Sequence, residues 1–326
     1  MGESTAGMKV VFVSMAVLCL ATKAWSQAYP AKPILITVGL QAATGSDIAV
    51  RSVAERLGPL LNQQIVIENL PGASGIVAAV KVAKAAPDGY NLVALSNAAL
   101  TILPNIEPKP PYDPLRDFMP IAFVASIPSV LFVNPGVPAK TVREFIALAK
   151  SKPGVMTYAS GGNGSVQHLA TEIFKSMAGI DLVHVPYKGS MQATLDVLSG
   201  RVDAGFQGIS TVLQFVQSGK LRALAWSGDK RNALFPDMPT IEESGLPGFT
   251  YEPWTAILGP AAMPKDIVTR LYTEARKVVS QPDLIKRWSG QGLEPKDVTP
   301  EQIAAMIREE SGRNAKVIAE KGIRAE

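Results

Sequence analysis

The residues of this chain whose types and spacing could do chemistry are concentrated in residues 157–170, TYASGGNGSVQHLA. Ser160, Gly161, Gly162, Asn163, Gly164 and Ser165 stand in series, bringing three glycines, two hydroxyls and an amide. Glycine lets a backbone take positive φ and come close to a ligand. A helix start offers N–H groups without intrahelical partners and a partial positive charge. Residues 156–159 read as a short buried strand, with Tyr158 favouring it, and residues 165–177 as a helix. Strand, glycine-rich turn and helix start in series make an anion site. No Lys-Ser/Thr follows the glycines, so this is not an ATP-binding P-loop, and a small carboxylate suits it better. The alternative, a tight strand-to-helix connection with no ligand, stays open on these residues alone.

A second series has the same grammar. The strand at residues 34–38 runs into Gly39, Leu40, Gln41, Ala42, Ala43, Thr44 and Gly45, and a helix follows from about Ser46 to Leu61. Ser46 reads as the N-cap and Asp47 as a first-turn acid. Ala43, Thr44, Gly45, Ser46 and Asp47 are therefore candidate ligand contacts. Each has a plainer role open to it, a cap for Ser46 and a dipole partner for Asp47. Ser96 and Asn97 leave a strand at its C-terminal end, where open α/β sheets place ligands. Tyr187, followed by Lys188 and Gly189, could close one wall of a cleft. Asp203 is a further candidate, with the fixing of a turn as its alternative.

Catalysis and metal binding are not expected. His168 follows Ser165 by three positions, on one helix face, which raises a serine hydrolase built on that pair. No G-x-S-x-G elbow surrounds any serine, and no third residue is in view to orient the histidine. Two histidines, His168 and His184, are too few for a histidine metal centre. The single cysteine, Cys19, falls in an N-terminal apolar segment, so disulfide and thiolate chemistry are excluded from the rest of the chain. No cofactor is called for.

These loops need elements to hold them. Apolar strands alternate with amphipathic helices from Ile34 onward, which predicts α/β architecture with mainly parallel sheets flanked by helices. Strands are expected at 65–68, 91–95, 121–125, 130–133, 182–185, 203–207, 221–226 and 254–258. Further helices are expected at 76–86, 141–150, 190–199, from Ser210, and at about 265–280 and 299–321. Thr141 with Glu144 and Thr299 with Gln302 read as capping boxes. Residues 101–117, rich in proline, are expected to form a surface loop. The chain leaves its first half near residue 127 and returns near 253. Lobe one is thus expected to be discontinuous, residues 29–127 plus 253–326, and lobe two to be residues 128–252. Two crossovers form a hinge that permits closure around a ligand.

The chain has 326 residues, 47% of them hydrophobic and 18% charged, as in a globular protein of two ordinary domains. Lys9 precedes an apolar run at 10–21, and Ser26-Gln27-Ala28 offers small residues at −3 and −1 of a cleavage site. Residues 1–28 therefore read as a cleaved export signal. Their loss takes Lys9, Lys23 and Glu3 and lowers the net charge from +4 to +3. Basic residues are scattered and lack aromatic interleaving, so nucleic acid is not an expected partner. A mild positive field favours anionic small molecules.

Six stretches in order then meet a known family: ENLPGASG at 68–75, APDGY at 86–90, YASG through Gly164-Ser165 and His168-Leu169, HVPYKG at 184–189, GRVD at 200–203 and PTIE at 239–242. The chain resembles substrate-binding proteins of the tripartite tricarboxylate transporter family, across nearly the whole mature length. The resemblance implies a periplasmic, two-lobed binding protein of the type II class, not an enzyme. It implies a small mono-, di- or tricarboxylate gripped by backbone N–H groups, hydroxyls and waters on loops 41–47 and 160–165. It further implies a membrane permease as partner and a monomeric receptor; a sensing receptor without a transport role would look the same. One departure stands out. The family's first loop carries Pro-Gly-Gly where this chain has Ala42, Ala43 and Thr44, so two backbone-permissive positions have gained side chains.

Overall fold

The computed structural model describes residues 29–106 and 108–324; the expected export signal lies outside them. The first sheet is built from β1 (Ile34–Val38), β2 (Ile65–Asn69), β3 (Asn91–Ser96), β4 (Phe118–Ser126) and β10 (Trp254–Pro260), in the order β2-β1-β3-β10-β4. The second holds β5 (Ser129–Val133), β6 (Thr157–Ser160), β7 (Val183–Pro186), β8 (Ala204–Gly208) and β9 (Arg222–Trp226), in the order β7-β6-β8-β5-β9. The helices are α1 (Gly45–Leu61), α2 (Ile76–Ala83), α3 (Val142–Ser151), α4 (Val166–Ala178), α5 (Ser190–Leu198), α6 (Ile209–Gln217), α7 (Lys265–Val279), α8 (Pro282–Ser289) and α9 (Pro300–Lys321). This is the two-lobed α/β arrangement expected from the alternation of strands and helices.

Both sheets are mixed, and for one reason. In the first, only β10 runs against its neighbours; in the second, only β5 does. Each is the first strand the chain forms after passing between sheets. The chain leaves β4 at the edge where the parallel strands end, crosses through Ile127 and Pro128, and must run back down the second sheet as β5. The return through Pro253 into β10 repeats the geometry. All the strand-to-helix turns of the parallel strands therefore open on one shared edge, the position expected for a ligand.

Apolar burial fixes this frame. One face of the first sheet packs with α1, α7 and α8 through Val50, Leu57, Leu271 and Trp288. One face of the second packs with α5 and α6 through Val197, Val212 and Trp226. The remaining faces share a single cluster that runs from Phe123, Trp254 and Ile307 across to Tyr158, Phe174 and Phe206.

Three local expectations are corrected and one helix is added. Residues 101–106 do not belong to a surface loop: Ala98–Ile102 is a π-helical turn, Leu103–Asn105 a 3-10 turn, and Thr101, Ile102, Leu103 and Ile106 are buried, whereas 108–117 is irregular and mostly exposed apart from Tyr112 and Pro114. The apolar residues between the prolines anchor the segment under α9, where Asn314 Nδ2 donates to Thr101 Oγ1 at 2.9 Å. The cap of α1 is Thr44, not Ser46, with Asp47 N–H donating to Thr44 Oγ1 at 3.3 Å. Glu144 does not complete a box at α3; its carboxylate accepts from Lys140 N–H at 2.6 Å instead. Helix α8, with Pro282 at its first position, was not foreseen. The box at α9 forms in full, with Thr299 and Gln302 reciprocally bonded.

Candidate functional site

Both loops of the sequence reading face one cavity of about 460 Å³. The first sheet contributes Gln41, Thr44, Gly45 and Ser46 after β1, residues 71–74 after β2, and Ser96 and Ala98 after β3. The second contributes Gly161, Gly162, Asn163 and Ser165 after β6, residues 187–190 after β7, and Gln207, Gly208 and Thr211 at the end of β8. The walls nearly touch. A Cβ on Gly45 would lie 2.7 Å from Ser210 Oγ, and one on Gly164 would lie 2.6 Å from Leu103 Cδ2.

The first turns of α1, α2, α4, α5 and α6 all line this cavity. Each brings N–H groups that lack intrahelical acceptors and the positive end of a helix dipole. Among the described residues the only charged side chain in the lining is Lys188, which is exposed at the rim. The cavity is thus biased toward an anion by backbone rather than by cationic side chains. Ala98, Leu103, Val166, Ala170 and Phe206 add an apolar wall continuous with the shared core.

Of the residues singled out from sequence, Thr44, Gly45, Ser46, Ser96, Gly161, Asn163, Ser165 and Tyr187 line the cavity. Several hydroxyls are already engaged. Thr44 Oγ1 donates to the Gln41 carbonyl at 2.9 Å, and Ser46 Oγ pairs with Thr255 Oγ1 at 2.7 Å. Ser165 Oγ caps α4 by accepting His168 N–H at 3.2 Å. Tyr187 OH donates to Asp196 at 2.7 Å; burial and that carboxylate push the phenol up to about 12.

The other six do not line it. Asp47 is a clamp within its own loop: its carboxylate accepts from Ala43 N–H (2.9 Å), Asn69 Nδ2 (2.8 Å) and Arg51 Nε (2.9 Å). Ala43 lies behind this clamp with φ +63°, left-handed backbone that favours glycine. Its neighbour Thr44 has an ordinary φ of −75°. Of the two positions that departed from glycine, only Ala43 therefore needs glycine-like geometry. Asn97 turns toward α9, 3.5 Å from the Glu310 carboxylate. Burial raises the Glu310 pKa, although Trp254 Nε1 donates to it at 2.7 Å. Ser160 and Gly164 sit beneath their loop on His184 and His168. Asp203 lies at the opposite end of β8, where it accepts from Thr157 N–H at 2.8 Å and joins two strands.

The sequence reading missed Gln167 and Gln207, which meet with Gln167 Nε2 donating to Gln207 Oε1 at 3.1 Å. Gln207 Nε2 also donates to the Ser190 carbonyl at 3.1 Å. The strand-end rule that selected Ser96 would have found Gln207 at the end of β8. Gln41 stands in the first loop without a sequence signal that marks it as a contact. Its amide packs directly on Gly189 and leaves no room for a Cβ there. Among the described residues no group of three or more His, Cys, Asp or Glu is placed to hold a metal ion.

Comparison with known proteins gives this cleft a class. The family model described as tripartite tricarboxylate transporter family receptor matches residues 49–323. The chain belongs to that family of periplasmic solute-binding receptors, and it is not an enzyme. It is 33% identical over 316 residues to Protein BugT of Bordetella pertussis, covering 97% of each chain. It superposes on the adipate-bound R. palustris protein Rpa4515 with a TM-score of 0.87 at 30% identity, covering 91% of this chain and 100% of that one. MatC of Rhodopseudomonas palustris, with bound malate, gives 0.82 at 29% identity, covering 89% and 100%.

Proposed function

We propose that this receptor captures a small organic carboxylate between its two lobes and delivers it to the membrane permease of a tripartite tricarboxylate transporter. In this reading residues 1–28 are removed on export. Residues 29–127 plus 253–326 form one lobe, residues 128–252 the other, and the receptor works as a monomer.

The observation that carries the proposal is the convergence of helix starts on one cavity whose only charged side chain, among the described residues, is an exposed lysine. A carboxylate docked there accepts charge-assisted hydrogen bonds worth about 1.5–3 kcal/mol each. Each helix end adds about 0.3–1 kcal/mol. Three or four such contacts reach the approximately 8 kcal/mol of a micromolar Kd, before the cost of ordering the ligand. The apolar wall at Leu103, Val166 and Phe206 favours an acid with a hydrocarbon body over a densely hydroxylated one. Adipate, bound in one neighbour, has such a body; malate, bound in another, is shorter and carries one hydroxyl.

Closure would join surfaces of both lobes into one face, which a permease can distinguish from the open receptor. A thermal-shift panel of mono-, di- and tricarboxylates on the mature chain tests the capture step. Stabilisation by a subset of acids, and none by amines or sugars of similar size, is expected. A flat response across the acids, with mass spectrometry finding no acid co-purified, would refute the proposal.

A further inference from the structure

The loop between β6 and α4 rests on two stacked imidazoles. Gly164 N–H donates to His168 Nδ1 at 3.2 Å. His184 Nε2 lies 2.6 Å from Ser160 Oγ, and that hydroxyl accepts Gly162 N–H at 3.1 Å. The two rings stack with centroids 4.1 Å apart and planes at 16°, and Tyr158 stacks on His184 at 4.7 Å and 13°. Neither histidine lines the cavity. Two of the loop's backbone N–H groups are thus oriented by this pair, one directly and one through a serine.

We propose that His168 and His184 are positioning residues, which hold the 160–165 loop in its ligand-accepting shape only while His168 Nδ1 is unprotonated. The inference rests on that loop being the second-sheet half of the carboxylate cradle.

A backbone N–H can only donate, so Nδ1 must be bare and the ring proton must sit on Nε2. A second proton on Nδ1 sets two donors against each other and leaves the Gly164 N–H without an acceptor. The stack sharpens this, because a charge on one ring opposes a charge on the other. Burial holds both rings below the usual imidazole range, and His168 presses His184 down further, to about 4. Among the described residues the other titratable groups facing the pair are Glu172 and Lys175 on α4 and Tyr158 on β6. Glu172 draws protons toward the rings but is itself engaged by Tyr158 OH at 2.7 Å and Lys175 Nζ at 2.8 Å. Strand β7 brings no titratable group but His184, and the first-sheet side brings Leu103 and Ile106 onto Gly164. The Ser165–His168 spacing that invited a hydrolase is in this way a cap and a loop anchor.

Amide hydrogen exchange by NMR on the mature, ligand-free protein tests this without needing the ligand. His168→Asn places Oδ1 where Nδ1 stands and keeps an acceptor; His168→Leu removes it. The protection of Gly164 is expected to fall at least tenfold in His168→Leu and to survive in His168→Asn, with α4 beyond its first turn unchanged. Equal protection in the leucine variant and the wild type would overturn the proposal. Should His168→Leu fail to fold, a wild-type titration decides: the Gly164 amide and the His168 ring must titrate together, and independent midpoints would overturn it. Titration with adipate at pH 7.5 separates the two readings. Absence of binding in every variant counts against the carboxylate cradle, while the exchange result stands alone for the histidines.

Discussion

Replacing Gly164 with alanine separates the loop's own conformation from the contact it makes across the cleft. Gly164 has φ +70°, and a Cβ there would lie 2.6 Å from Leu103 Cδ2 and 2.9 Å from Ile106 Cδ1. Both partners are buried residues of the segment between β3 and β4. Left-handed backbone costs a non-glycine residue about 1–2 kcal/mol, a penalty paid whether the lobes are apart or together. The overlap with Leu103 and Ile106 adds about 1–3 kcal/mol, and only where the two sides meet. Calorimetric titration of Gly164→Ala should therefore show a Kd raised about 5- to 150-fold, while the melting temperature of the ligand-free protein falls only by the backbone term. Adding Leu103→Ala removes the larger overlap and should recover part of the affinity, short of wild type because Leu103 also lines the cavity and Ile106 still overlaps, while lowering stability by about 2–5 kcal/mol. Wild-type affinity in Gly164→Ala would refute the reasoning, since the liganded state would then not bring these surfaces together.

Three other outcomes follow from the geometry. Ala43→Gly relieves a left-handed alanine at φ +63°; after the extra freedom of the unfolded chain is counted, stability should rise by up to about 1 kcal/mol, read from urea midpoints. Acid should weaken the fold through His168 and His184, whose pKa values burial lowers, that of His184 to about 4. The unfolded chain takes up these protons first, near pH 6.5, so their contribution is full above that pH and is lost as pH falls toward 4, measurable by urea melts at pH 7, 5.5 and 4.5. Asp203→Ala should leave carboxylate affinity unchanged while lowering stability by about 1–3 kcal/mol, because its bonds to Thr157 N–H and Oγ1 at 2.8 and 3.0 Å tie two strands far from the cleft.

What was legible in the sequence, and what was not, divides along physical lines. Loops 41–47 and 160–165 could be read because glycines and small polar residues between a β-branched strand and an amphipathic helix leave few other roles. The reversal of β5 and β10 could not be read, since an interior strand is apolar in either direction. Residues 101–106 depart from the proline-rich surface loop because the apolar Ile102, Leu103 and Ile106 outweigh Pro104 and anchor the segment, while Pro108 and Pro111 do mark exposed chain. Asp47, Asn97 and Asp203 carry polar groups at sequence positions that suit a ligand, but their partners Asn69, Glu310 and Thr157 are fixed only by the tertiary fold; the i,i+4 partner of Asp47, Arg51, is local to its helix. The departure at Ala43 and Thr44 became interpretable only once their φ angles were known.

The central claim is that backbone N–H groups from both sheets meet one negative charge in the cleft. Isothermal titration with the acid that stabilises the protein most, side by side with its neutral methyl ester, tests it most directly. The ester loses at least one charge-assisted bond from each wall, about 1.5–3 kcal/mol apiece. The account predicts a Kd in the micromolar range or tighter for the acid and binding at least about 100-fold weaker for the ester. Equal affinity for acid and ester would contradict it.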